Sequence, residues 1–440
     1  MLMPSMMASY VRPHPTSSAA AQLRRLRCCG QGAAQAQADP AQRPERPMSL
    51  SDRIVGLAPS ATMAVDAKAK ALRAAGESVI GFAAGEPDFP TPANIVEAAQ
   101  RAAADPAMHR YSPAAGLGDL REAIAERARR DGLDVTADMV VVTNGGKHAL
   151  YNVFMALIGP GDEVLMPAPY WVSYPEQIGL AGGTCVPILA DATTRFRVSV
   201  EQLEAARTPR TKALVFVSPS NPTGAVYPPE EVAAIGRWAA ENDIWVITDE
   251  IYRELVYGDA TFCSLPAVAP EASERTIIVD GVAKAYAMTG WRVGWSIAPK
   301  EISAGITKLQ TQLSSNVNNV AQAAALEALT GSQEAVAEMR AAFDRRRRTA
   351  LRLLTRLEGF EVVEPEGAFY VYPDIRGLMG REIAGHTVTS SLAFAEVLLD
   401  AAKVAVVPGE GFGSEASFRL SYALSDADIE EGIERMAAIL

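Results

Sequence analysis

Short runs of β-branched and apolar residues recur along the chain between longer alanine-rich stretches with helical spacing. The clearest runs are Val140–Val142, Val164–Met166, Ala213–Val217, Ile244–Thr248 and Thr276–Val279. Continuous apolar runs of this length are what strands buried on both faces look like, and their alternation with helical patterns predicts βαβ units around a parallel sheet. Each run is followed by a polar turn containing Gly or Pro. In open α/β sheets ligands bind outside the carboxyl ends of the strands. That rule directs attention to residues 144–147, 167–174, 218–224, 249–252 and 281–292, where the reactive residue types concentrate.

Composition narrows the picture. The chain has 440 residues, 49% hydrophobic and 21% charged, enough for a sizeable core in two domains or one large one. Lys plus Arg number 41 against 52 acids, a balance of −11, which argues against a nucleic-acid partner. No apolar run suggests a membrane span. The four cysteines, Cys28, Cys29, Cys185 and Cys263, form no Cys-x-x-Cys pair and no disulfide framework, so a reducing compartment and no metal site are expected. The first 38 residues contain no Asp or Glu, while Arg12, Arg24, Arg25 and Arg27 lie among Ala, Gln, Ser and Pro. Such a segment reads either as an organellar transit peptide or as an extension upstream of a start at Met48. Residues 1–47 are expected to be disordered and functionally silent, and the protein cytoplasmic unless the segment is a transit peptide.

Four turns carry candidate chemistry. Thr143-Asn144-Gly145-Gly146-Lys147 opens the helical pattern His148–Leu157 and reads as a tight turn or a phosphate cradle. Ser218-Pro219-Ser220-Asn221-Pro222-Thr223-Gly224 reads alone as a Pro-rich turn into a helix. Asp249 ends an apolar strand with Tyr252 three residues on; it could be a helix N-cap or a carboxylate at the mouth of the sheet. Lys284 stands among Val282, Ala283, Ala285 and Ala287, surroundings that depress an amine's pKa and make it a ready Schiff-base nucleophile. Arg292 follows in Thr289-Gly290-Trp291-Arg292-Val293-Gly294. An amine, a carboxylate, a phenol, an amide, an anion cradle and an arginine on the strand ends of one sheet are what pyridoxal phosphate needs.

In these residues the chain resembles the class I, fold-type I pyridoxal-phosphate aminotransferases, and within them the bacterial subgroup of aspartate aminotransferases of actinobacterial type. The resemblance runs from about Met48 to Leu440. It rests on the turns above and on Ala84-Gly85-Glu86-Pro87-Asp88-Phe89, Pro169-Tyr170-Trp171-Val172-Ser173-Tyr174, Ala283-Lys284-Ala285-Tyr286-Ala287-Met288 and Phe418-Arg419-Leu420-Ser421-Tyr422-Ala423. It implies an α/β fold: a large domain with a mostly parallel, seven-stranded-type sheet flanked by helices, plus a smaller α+β domain. Residues 92–339 are then the large domain, and 48–91 with 340–440 the smaller one.

The resemblance also implies roles. Lys284 would be the Schiff-base lysine and proton carrier, and Asp249 the partner of the cofactor ring nitrogen. Asn221 and Tyr252 would bond the ring's phenolate oxygen, and Trp171 would stack on the ring. Backbone groups of Gly146 and Lys147, with Arg292, would bind the phosphate, and Tyr111 would reach that of a neighbouring subunit, which makes a homodimer an implied requirement. Arg419 would grip the substrate α-carboxylate, Gly85 would close over it, and Asn221 and Trp171 would border it. Lys147 and Thr62 would hold a distal carboxylate, because Gln310–Val320 offers no arginine. The implied reaction is ping-pong transamination between L-aspartate and 2-oxoglutarate.

Prephenate-using relatives carry a lysine where this chain has Ala58, and relatives have Asn where it has Asp280. Asp280 would either raise the pKa of Lys284 or point to solvent. A lyase or decarboxylase on the same scaffold would keep Lys284, Asp249 and Arg419 but lose Lys147. A transcription regulator would need a DNA-binding domain, for which residues 1–47 are too short. The run Arg345–Arg348 is expected to be the solvated face of a long helix.

Overall fold

The computed structural model describes residues 50–57 and 61–440, so the expectations for residues 1–47 and for Ala58 lie outside the described residues. The chain divides into residues 1–55 and a body from Gly56 to Leu440. Of the first part, the described residues hold one helical turn, Asp52–Val55.

The body is built on a seven-stranded sheet. Its strands are β1 (Val140–Thr143), β2 (Glu163–Ala168), β3 (Thr184–Leu189), β4 (Thr211–Val217), β5 (Trp245–Asp249), β6 (Thr276–Gly281) and β7 (Gly294–Ile297). They lie side by side in the order β1-β7-β6-β5-β4-β2-β3. All pairings are parallel except those of β7, which runs antiparallel to both β1 and β6. Five strands fall where the apolar runs predicted them. The two that the runs did not mark are the edge strand β3, half exposed and interrupted by Pro187, and β7, whose Gly294 and Ser296 break up its apolar residues. The reversal of β7 has a consequence for chemistry. It starts at the edge where its neighbours end, so Arg292, two residues before it, is delivered to the same edge as Asp249 and Lys284.

Helices cover both faces, as a sheet of apolar strands requires. Gly146–Leu157 packs through Ala149, Leu150 and Val153 against Val164, Val215, Ile247, Ile277 and Val279. On the other face Gly118–Arg130 and Asn319–Thr330 pack through Leu120, Ile124 and Ala324 against Val140, Ile278 and Trp295. Burying each of these large aliphatic side chains contributes about 1.5–3 kcal/mol.

A second core gathers chain from both ends of the body. Phe82, Phe343, Phe369, Phe394, Phe418 and Ile433 share it. Around it lie a three-stranded antiparallel sheet (Val407–Pro408, Phe418–Ser421, Tyr370–Val371), the parallel pair Ile80–Gly81 with Val404–Ala405, and the helices Glu334–Leu354 and Asp426–Ala437.

The basic run on the first of these helices corrects its expectation. Arg345 and Arg348 do face outward, but Arg346 and Arg347 are buried. A helix with 3.6 residues per turn cannot keep four successive residues on one face. The two inward guanidiniums are matched by acids, Asp88 for Arg346 and Asp344 with Glu364 for Arg347.

Candidate active site

The carboxyl edge of the sheet begins with an anion cradle. Gly145 caps the helix Gly146–Leu157 with φ +85°, a conformation that favours glycine. A Cβ at Gly145 would lie 2.6 Å from Arg292 Nη2, and one at Gly294 would lie 2.4 Å from Gly146 N. The segments around Gly145 and Gly294 can therefore approach closely here only because these positions carry no side chain. Arg292, itself at φ +57°, donates from Nη1 to Thr289 O (2.8 Å) and from Nη2 to Asn144 O (3.3 Å). Its guanidinium thus lies by the start of a helix whose first N–H groups have no partner within the helix, an arrangement suited to phosphate.

Lys147 stands in the first turn of that helix with Nζ 4.8 Å from the centroid of the Trp171 ring. Partial burial, helped by the charge of Arg292, holds its pKa below the ordinary value. Trp171 in turn meets Tyr174 edge-on, at 5.3 Å and 79°.

Next to the cradle, Asp249 ends β5. It is buried; its Oδ2 accepts from Tyr174 Oη at 2.8 Å and its Oδ1 from Ile251 N at 3.2 Å. Burial pushes its carboxyl up, while those two donors and the charge of Lys284 pull it down. Lys284 Nζ donates to Gly85 O at 2.5 Å. Burial, aided by the charge of Arg419, lowers this amine to about 8, against the pull of Glu86 and Asp249. An amine near 8 is neutral often enough at ordinary pH to attack a carbonyl carbon. Tyr252 Oη lies 2.8 Å from Tyr370 Oη, and burial drives the Tyr252 phenol upward, so it is a neutral hydrogen-bonding group.

Arg419, 2% exposed, donates from Nη1 to Asn221 Oδ1 (3.0 Å) and from Nη2 to Ala83 O (2.9 Å). Its Nε is buried without a partner. The guanidinium carbon lies 4.5 Å from the Tyr370 ring centroid and 5.2 Å from that of Phe412. A buried guanidinium beside two aromatic rings, with donor capacity left over, is a fork waiting for a carboxylate.

Lys284, Asp249, Asn221, Tyr252, Arg419 and Gly85 are thus linked through direct contacts and shared fields, while Gly146, Lys147, Trp171 and Arg292 form the adjoining cradle. Tyr111 is 92% exposed and joins neither group within this chain. Thr62 lies in the helix Ala61–Ala74, and its side chain is outside the described residues. Two tyrosines that sequence reasoning did not assign belong to the group. Tyr174, partner of Asp249, sat unremarked in the Pro169–Tyr174 motif. Tyr370 had no sequence signal, since only tertiary packing brings it to Tyr252 and Arg419. Asp280 does not point to solvent: it is buried, its Oδ1 accepts from Gly281 N at 2.7 Å, and its Oδ2 lies 3.7 Å from Arg127 Nη1, and it is not among the leading influences on the Lys284 amine. Val279 is level with Asp249 across the β5–β6 register, so Asp280 points to the opposite face of the sheet.

A depressed amine, a buried carboxyl at a strand end, an amide, a phenol, an anion cradle and a spare guanidinium donor fit pyridoxal 5′-phosphate, and with this sheet they define a fold-type I enzyme dependent on that cofactor. Residues 77–436 match the family model "Aminotransferase class I and II". The chain is 58% identical over 392 residues to an aspartate aminotransferase of Streptomyces avermitilis, covering 89% of this chain and 96% of the relative. It is 46% identical to an aspartate/prephenate aminotransferase of Cereibacter sphaeroides, covering 88% and 98%. The solved structure of Thermus thermophilus aspartate aminotransferase with maleate superposes with a TM-score of 0.83 at 44% identity, covering 89% of this chain and all of that one. The chain belongs to the class I and II aminotransferases.

Proposed function

We propose that this aminotransferase moves the amino group of L-aspartate to 2-oxoglutarate, giving oxaloacetate and L-glutamate in two half-reactions. The observation that carries the reading is the set of groups around the Lys284 amine: Asp249 and Glu86 of one sign, Arg419 and Arg292 of the other, with Gly85 O in direct contact. The Streptomyces avermitilis and Thermus thermophilus proteins named above carry the same substrate in their names.

The backbone N–H groups of Gly146 and Lys147, with the Arg292 guanidinium, would hold the cofactor phosphate, Asp249 its ring nitrogen, Asn221 and Tyr252 its phenolate oxygen, and Trp171 its ring face, which leaves the Lys147 side chain free for substrate. When bound, pyridoxal phosphate supplies an electron sink for the carbanion formed at the amino acid's Cα. The protein's own contribution is to place and time protons. Lys284, with its amine near 8, takes the Cα proton and returns one on the other side of the transfer. Asn221 Oδ1 is already committed to Arg419, which leaves its NH₂ group to donate toward the cofactor. Arg419 binds the α-carboxylate, Gly85 closes over it, and Lys147 with Thr62 binds the distal carboxylate. Residues 48–91 and 340–440 act as a smaller domain closing on the large domain of 92–339. Tyr111, exposed in one subunit, reaches the phosphate site of its partner in a homodimer. The protein works in the cytoplasm.

The test is a panel of amino donors with wild type and Lys147→Ala. Truncating one partner of a desolvated charge pair costs about 2–5 kcal/mol. The variant is therefore expected to lose at least about tenfold in kcat/KM for aspartate and glutamate while alanine and phenylalanine change little. An equal fall for all donors would assign Lys147 to the cofactor and withdraw the acidic substrate. Among the described residues no helix is long and apolar enough to cross a membrane.

A further inference from the structure

Residues 85–91 run past Lys284 and are fastened to the rest of the body at three points. At one end Glu86 Oε2 accepts from Thr289 Oγ1 at 2.9 Å. At the other Thr91 Oγ1 donates to Ala287 O (2.7 Å) and accepts from Trp291 Nε1 (2.9 Å). Between them Asp88 receives both arms of one guanidinium, Arg346 Nη1 on Oδ1 at 2.8 Å and Nη2 on Oδ2 at 2.9 Å. Arg346 is 6% exposed, and its guanidinium carbon lies 4.8 Å from the Phe89 ring centroid and 5.8 Å from that of Phe343. Phe89 and Phe343 meet edge-on at 5.3 Å.

A parallel double hydrogen bond fixes orientation as well as distance, and the flanking rings remove the freedom to swing. What it fixes matters, because the segment lies directly against the catalytic groups. Gly85 O touches Lys284 Nζ, and a Cβ at Gly85 would lie 3.5 Å from Tyr370 Oη and 3.9 Å from Arg419 Nη2.

We propose that the Arg346–Asp88 clamp is a positioning device for the reaction, fixing Gly85 within the smaller domain so that it stands in register with Lys284 and Arg419 when it closes over the α-carboxylate. The proposal rests on the reading of Arg419 as the carboxylate fork. Arg346 touches neither substrate nor cofactor; it acts through Asp88 and Phe89. Glu86 travels with the same segment, so the clamp also fixes the distance from which that carboxylate acts on the Lys284 amine. Asp426 also lies near the clamp, its Oδ2 3.7 Å from Arg346 Nε, and it receives Arg345 Nε and Nη2 at 3.0 and 2.8 Å.

The test uses the cofactor-loaded full chain with Asp88→Asn, which keeps one hydrogen bond and the shape, and Arg346→Lys, which keeps the charge but not the fork. Both are expected to keep the near-visible cofactor band. KM for aspartate and for alanine should rise together by about tenfold, with kcat within about threefold, because a displaced Gly85 spoils the pocket for every α-carboxylate. The dissociation constant of succinate, a non-reacting dicarboxylate read by calorimetry, should weaken by a similar factor. Amide hydrogen exchange should quicken in residues 82–91 and not in β5 or β6. The charge exchange Asp88→Arg with Arg346→Asp should recover part of the KM. Faster exchange with KM and succinate affinity unchanged within twofold would overturn the proposal, and so would loss of the cofactor band in Asp88→Asn, which would make the clamp a folding element. If instead succinate fails to bind wild type while the alanine KM still rises in the variants, the clamp stands and the acidic-substrate reading falls.

Discussion

Asp249 ends β5 and Asp280 stands one residue before the end of the neighbouring β6; both are buried, and burial raises the pKa of both, yet they do different things. Asp249 faces the helix Gly146–Leu157 and the Lys284 amine, and a phenol, Tyr174, is its partner. Asp280 faces the other way, toward the helix Gly118–Arg130. There it joins a closed group of Arg127, Arg253, Glu254 and Glu250, the last pushed up to about 7 by burial. One residue of register separates a carboxyl in the catalytic pocket from a carboxyl in the supporting layer. A perturbed acid at a strand end therefore identifies nothing by itself; the face it occupies does.

The largest effect expected on the catalytic face belongs to Lys284. Lys284→Ala should remove the borohydride-reducible near-visible band and lower turnover by about 10⁴-fold, since nucleophile and proton carrier leave together. Undiminished turnover would end the assignment of the whole face. Asp249→Ala comes next. The cradle of Gly146 and Arg292 is untouched, so cofactor should remain bound, while the rate falls roughly 10²- to 10³-fold for want of a charge opposite the ring nitrogen. Absorbance of the bound cofactor and single-turnover rates separate the two effects. Full activity in this variant would reduce Asp249 to a cap, the simpler reading its sequence position allowed.

The sequence made this face legible and left the other one dark. Apolar runs marked five strands, and the rule that ligands sit at strand ends led from them to Lys284, Asp249, Asn221 and Arg292. The motifs around Arg419 and Gly85 added the substrate side by resemblance. What stayed hidden depended on register or on contacts between distant segments. The orientation of Asp280 required the β5–β6 pairing, and the delivery of Arg292 required the reversal of β7. Arg346 and Arg347 looked like half of a solvated basic run, because a string of four arginines does not say which two meet acids in the fold. Asp88 lies 258 positions from Arg346 and Tyr370 lies 118 from Tyr252, spacings that no local pattern reveals.

The comparison is sharpest where the expected effect on catalysis is smallest. Asp280→Asn should change kcat/KM by no more than about threefold, because the side chain points away from Lys284 and exerts no leading influence on that amine. Its effect belongs instead to stability, with a definite sign. In the folded chain the carboxyl titrates near 6, raised by burial against the pull of Arg127 and Arg253, whereas the ordinary value is 3.8. Between those limits the folded state holds a proton that the unfolded chain has released, so this group's contribution to stability falls as pH rises from about 4 to 6. The gap is worth about 3 kcal/mol. An asparagine has no such slope. The stability of Asp280→Asn relative to wild type should therefore improve by up to that amount between pH 4 and pH 7, measured as the difference in denaturant midpoints. A flat difference across that range would mean that Asp280 is ionised at little cost in the fold, held by Arg127 more tightly than a 3.7 Å contact suggests. A fall in turnover as deep as that of Asp249→Ala would mean that the two faces of the sheet act as one site.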